Sequence, residues 1–225
     1  MHIQPYFPEP IEVTKNAASE RYIVTLSYVR AVMAGHFISA LAVAGVALFL
    51  EPTLDVQSAA VVFFGSLLLL TIGRRLLHGG WLDNAVSLLL LAPTVWSLGA
   101  LVRIGLDAGM PVWIPGVAYL YASVYGALCG RDFSFVGQFV ITLGALTATV
   151  VSALALGIVD LGDAFLWSFI ALVYAFYYIY DLAALLSRRR LGEEPAAVAD
   201  LYRDMLNVLT YSVRVYLHWR RYRFV

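Results

Sequence analysis

Residues Ala31 to Leu50 read AVMAGHFISALAVAGVALFL, a run without a single Asp, Glu, Lys or Arg. About 20 apolar residues carry a helix across a hydrocarbon layer of about 30 Å, so this stretch is long enough to span a membrane. Six further stretches qualify on the same count: roughly Val56 to Leu77, Ala85 to Val102, Val112 to Cys129, Phe135 to Val159, Ala164 to Ser187, and Ala196 to Leu217, the most polar of the set. Short connections with turn or charge signals separate them, among them Glu51-Pro52, Gly79-Gly80 and Gly130-Arg131-Asp132. No soluble domain fits between the spans. The sequence therefore predicts an all-α membrane protein, a seven-transmembrane-helix bundle over residues 31–217, with an N-terminal tail at 1–30 and a basic, aromatic tail at 218–225.

Composition agrees. Of 225 residues 61% are hydrophobic and 13% charged, against about 45–50% and about 25% in ordinary globular chains. Fifteen basic and fifteen acidic side chains cancel, so placement and not net charge is informative; a nucleic-acid binder would need its basic groups clustered on one face, and no such partner is expected, while the single cysteine, Cys129, excludes an intramolecular disulfide. The polar first twenty or so residues lack the apolar core of a cleavable signal peptide, so the first span itself is expected to direct insertion.

Positive residues are retained on the cytoplasmic side. With the N-terminus inside, Lys15, Arg21, Arg30, Arg74, Arg75, Arg131, Arg188, Arg189 and Arg190 face the cytoplasm, while Arg103 and the tail arginines 214, 220, 221 and 223 face outward. Glu51, Asp55, Asp107, Asp160 and Asp163 then line the outer side, either as a cation-attracting rim or as acids left where bases are excluded. Fourteen arginines to one lysine suggest a GC-rich bacterial genome and hence a plasma membrane.

Ionisable groups inside a bilayer are costly and usually functional. Asp181 in the sixth span and Asp204 in the seventh stand out. They lie at similar distances on either side of a turn near Gly192, so antiparallel helices bring both to similar depth. Two close carboxylates in a low-dielectric setting do not both ionise cheaply, and such a pair is expected to share a proton. Ionised, it offers hard oxygens to Ca²⁺ but falls short of the usual six to eight ligands; Tyr177, Tyr180, Asn207 and Tyr211 could add oxygens. Asp200 shares a helical face with Asp204, as Arg203 does with Asn207. The plainer alternative makes Asp204 one half of a structural ion pair, with Arg203 or a loop arginine as the other, and Asp181 a helix cap.

Tyr178-Ile179-Tyr180-Asp181, a basic loop, and then Ala197-Val198-Ala199-Asp200-Leu201-Tyr202-Arg203-Asp204-Met205-Leu206-Asn207 resemble the last two helices of the Bax inhibitor-1 (transmembrane BAX inhibitor motif) family, in its bacterial form. Gly130-Arg131-Asp132-Phe133-Ser134-Phe135 is similar to that family's turn before the fifth helix. The resemblance covers roughly the last hundred residues. It implies a bundle with the last helix central and a pH-sensitive calcium leak, with Asp181 and Asp204 as proton sensor and ion site. It also implies an arginine of the second helix that closes the pore on the pair, for which Arg74 and Arg75 are the candidates. The only cofactor-like species implied are Ca²⁺ as the transported ion and protons. The same family suggests an alternative, a non-transporting regulator of a membrane-bound protease.

Other seven-helix chemistries lack their residues. A retinal Schiff base needs a lysine in the last span, and the only lysine is Lys15. His2, His36, His78 and His218 are too scattered for a zinc enzyme, and no Gly-x-Ser-x-Gly is present. The chain is therefore not expected to be an enzyme. His36 reads as a buried bundle residue with its hydrogen bonds met.

Overall fold

The structure is a computed structural model that describes residues 13–50, 54–77, 79–129 and 133–203. A short 3-10 turn, Ala17–Ser19, leads into α1 (Tyr22–Phe49), α2 (Val56–Leu77), α3 (Trp81–Asp107), α4 (Trp113–Leu128), α5 (Phe135–Ala155), α6 (Leu161–Arg188) and α7 (Glu194–Arg203). The described residues contain no strand. Five helices, α1, α2, α3, α5 and α6, are long and apolar enough to cross a membrane.

Two of the seven expected spans are not among these five helices. The fourth predicted span forms a helix of 16 residues, about 24 Å long. The described part of the seventh is the ten residues of α7, and the rest of that span lies outside the described residues. The first helix also begins before the expected first span. α1 begins at Tyr22, inside the stretch assigned to the tail, because counting apolar residues finds the lipid-crossing part of a helix and not the polar turns that precede it.

Local signals set the helix starts. Asp55 caps α2 by accepting the Ser58 N–H at 2.7 Å, Ser134 caps α5 through Gly137 N–H at 2.8 Å, and Asp160 caps α6 through Asp163 N–H at 2.8 Å. Gly79 and Gly80 both adopt φ of 92°, the left-handed turn that lets α3 begin directly after α2.

α1 packs against α3, α4 and α7, and small residues let it do so closely. Gly99 of α3 faces Val46, Gly126 of α4 faces Met33, and Gly35 of α1 faces Val198 of α7. Every residue of α7 from Ala196 to Arg203 is buried, in contact with α1, α2, α3 and α6. Two apolar cores result, a larger one around α1, α6 and α7, and a smaller one joining α4, α5 and α6. Large apolar side chains such as Phe49, Leu89 and Phe165 point outward, as they do where the surroundings are lipid.

Candidate functional site: a buried charge cluster at the arginine-rich end

α6 ends at Arg188, and Arg189 follows in extended conformation. Its backbone is held by the preceding N-terminal segment. Ala17 N–H donates to the Arg189 carbonyl at 2.8 Å, Val13 N–H to that of Ser187 at 3.1 Å, and Arg190 Nε to that of Thr14 at 3.2 Å. Fixed in this way, the Arg189 side chain turns inward and is 3% exposed.

Three helices supply its partners. Arg189 Nε donates to Asp200 Oδ2 of α7 at 2.7 Å, and Nη1 donates to Asp83 Oδ2 in the first turn of α3. Glu193 Oε2 lies 3.7 Å from the same Nη1. Burial alone would lower the Arg189 pKa, but the charge and hydrogen bonds of Asp200 and Asp83 outweigh it and hold the guanidinium above its ordinary value.

Asp200 is the anion the arginines share. Arg74 Nη1, from the end of α2, reaches its Oδ2 at 2.9 Å, and Arg203 Nη1 reaches its Oδ1 at 2.9 Å. Glu193 does a second job at the turns. Its Oε1 accepts Gly80 N–H at 3.1 Å and its Oε2 accepts Arg190 N–H at 3.2 Å. Asn84 closes the same corner, donating to the Gly192 carbonyl at 2.7 Å and accepting Ala196 N–H at 3.3 Å. Among the described residues Arg74, Arg189 and Arg203 thus face Asp83, Glu193 and Asp200. Buried ions survive when paired in this manner and are costly when one partner is lost.

Asp181 is buried in α6, and Arg188, two turns later on the same helix, places Nη1 at 3.2 Å from its Oδ1. Of the carboxylates named from the sequence, Asp181 and the secondary candidate Asp200 each have an arginine beside them. Arg74 meets Asp200 and Arg188 meets Asp181, whereas Arg75 is exposed and forms no ion pair among the described residues. Asp204, Asn207 and Tyr211 lie outside the described residues, as does the side chain of Tyr180.

Asp83, Glu193 and Arg189 were not picked out from the sequence. Asp83 offers one signal, an acid in the first turn after Gly79-Gly80, close in sequence to Arg74 and Arg75. That position is equally explained by the helix dipole.

At the opposite end the acids have structural partners. Asp55 and Asp160 are the caps already described, and Asp107 pairs with Arg103 at 2.9 Å. The Ser58 N–H holds the Asp55 carboxyl below its ordinary value. Asp163 contributes its backbone N–H to the Asp160 cap, and Glu51 lies outside the described residues. No group of three or more His, Cys, Asp or Glu side chains placed to hold a metal ion occurs among the described residues. Comparisons with protein-family models, with characterised proteins and with solved structures find no match to this chain.

Proposed function

We propose that the chain is a pH-sensitive calcium leak pathway of a bacterial plasma membrane. In this reading it has seven spans and a cytoplasmic N-terminus, is similar in kind to the Bax inhibitor-1 family, and is closed in the arrangement described above. One observation carries the reading: Arg74 of α2 crosses to a buried carboxylate of α7, Asp200, at 2.9 Å. A guanidinium held there occupies the oxygens that a hard cation would need.

Asp200 stands four positions before Asp204 in the sequence, one turn of the expected seventh span, so an arginine of the second helix reaches a carboxylate next to the expected second proton sensor. Asp181 has Arg188 beside it in the same way. Protonating a carboxylate weakens its hold on a guanidinium, and the proposed leak therefore rises as pH falls. Purified protein in liposomes loaded with a calcium dye tests this. The expected result is a Ca²⁺ flux that increases on acidification and, at neutral pH, in Arg74→Ala; a flux indifferent to pH would sink the sensor.

A second reading is favoured by the charge balance of the cluster. Among the described residues three arginines face three carboxylates, an arrangement that suits a rigid lock as well as a gate, and a non-transporting regulator of a membrane-bound protease would need only the lock. Absence of flux at every pH would favour it.

A further inference from the structure

His36 sits near the middle of α1, about 20 Å from either end, at the centre of the bundle. It is 2% exposed, and neither Nδ1 nor Nε2 has a hydrogen-bond partner. Three tyrosine rings surround it. Tyr178 of α6 lies 5.1 Å away between ring centroids, Tyr202 of α7 at 5.0 Å and Tyr119 of α4 at 5.9 Å.

Two of the tyrosine hydroxyls are engaged elsewhere. Ser39 Oγ donates to the His36 carbonyl at 2.7 Å, which leaves the Tyr202 hydroxyl to donate to Ser39 at 2.8 Å. The Tyr178 hydroxyl donates to Met33 Sδ at 3.3 Å and accepts from Ser123 at 3.0 Å. The imidazole is therefore offered aromatic rings and no acceptor for its N–H.

The charged groups of the surrounding elements are committed to other partners. On α6, Asp181 lies one turn from Tyr178 and has Arg188 beside it; on α7, Asp200 is shared by three arginines. α4 contributes Tyr119 and Tyr125 as its titratable side chains near α1, and α3 carries Asp83, Arg103 and Asp107 only at its ends. Among the described residues no carboxylate pairs with His36.

We propose that His36 is an acid switch at the centre of the bundle: the closed packing of Tyr119, Tyr178 and Tyr202 accepts only the neutral imidazole, and protonation parts these rings and admits water. An imidazolium carries two N–H donors, and this packing offers neither of them an acceptor. Any arrangement that lets water in restores the ordinary histidine pKa of about 6.5. The sign follows. The closed form excludes the proton that the open form binds, so it is favoured above about pH 6.5 and loses its advantage as pH falls. The switch rests on the bundle being the closed form of a pathway, but not on which ion that pathway carries.

Hydrogen exchange and histidine NMR on the full chain in lipid nanodiscs test it. The His36 signal is assigned by its loss in His36→Gln, and independently as the signal that survives when His2, His78 and His218 are all replaced by Gln. The sample is titrated from about pH 8 to about pH 4.5, which brackets the ordinary histidine value. Protonation of His36 should coincide with a rise of about tenfold in amide exchange, corrected for intrinsic rate, over residues 31–41 and 173–183. His36→Gln should lack that rise. The proposal is overturned if His36 titrates at the ordinary value with exchange unchanged, if it stays neutral throughout, or if exchange rises equally in His36→Gln. An intact exchange response in protein that passes no Ca²⁺ would defeat the calcium leak and leave the switch standing.

Discussion

Arg74 Nη1 lies 2.9 Å from Oδ2 of Asp200, and this contact ties the end of the second helix to the buried α7. The two partners are unequal. The Asp200 side chain is 5% exposed and also serves Arg189 and Arg203, whereas the Arg74 side chain is 20% exposed and can turn to the boundary if released. Asp200→Asn strands buried cations, for which a cost of about 3–5 kcal/mol is typical. Arg74→Ala should cost clearly less. Thermal unfolding in one detergent compares the two, and equal losses would mean that Asp200 is not the shared anion.

Arg189 should tolerate no simple replacement. Its fork spans Asp83 and Asp200, on two different helices, through separate nitrogens. A lysine is a single point charge that cannot reproduce the fork. Arg189→Lys is therefore expected to lose most of what Arg189→Ala loses. A double-mutant cycle of Arg189→Ala with Asp83→Ala should give a coupling of about 0.5–3 kcal/mol. Reversible unfolding in mixed micelles supplies the four values, and a coupling near zero would show that the contact does not hold in the folded protein.

The pair on α6 makes a functional prediction. Arg188 reaches back two turns to Asp181, so Arg188→Ala should change the pH at which Ca²⁺ flux rises, while Asp181→Asn, which removes the titrating group, should flatten the pH profile. Dye-loaded liposomes at a series of pH values distinguish the outcomes. If both variants keep the native profile, Asp181 plays no part in the pH response.

Length and apolarity made the helices legible, since five stretches named from the sequence form helices long and apolar enough to cross a membrane. The start of α1 at Tyr22 was not legible, because a helix continues past the apolar layer wherever its backbone bonds remain satisfied. The site was legible in its residues more than in its pairings. Arg74 and Asp200 were both singled out, but spacing along a chain carries no information about partners more than a hundred positions apart, such as Arg189 and Asp83. His36 shows the same limit. Its burial follows from its place in an apolar helix, whereas the lack of a hydrogen-bond partner depends on which way Tyr178 and Tyr202 turn their hydroxyls.

Gly99 tests the crossing of α1 and α3. A methyl group added there would lie 2.5 Å from Val46 Cβ and 3.0 Å from the Val43 carbonyl oxygen, and both neighbours belong to the α1 helix itself. Two effects oppose each other. Alanine is better than glycine within a helix by about 1 kcal/mol, but forcing a methyl into a filled contact costs about 1–3 kcal/mol, and here the backbone must move too. Gly144 of α5 separates them, because nothing lies within 4 Å of the corresponding position and only the favourable effect operates. Gly144→Ala should therefore be neutral or stabilising, and Gly99→Ala destabilising. Adding Val46→Ala should recover only part of the loss at Gly99, since it removes Cγ1 at 2.6 Å from the new methyl but keeps Cβ at 2.5 Å. Unfolding temperatures measured in the same lipid decide the matter: if Gly99→Ala is as stable as Gly144→Ala, the two helices do not cross as closely as 2.5 Å requires.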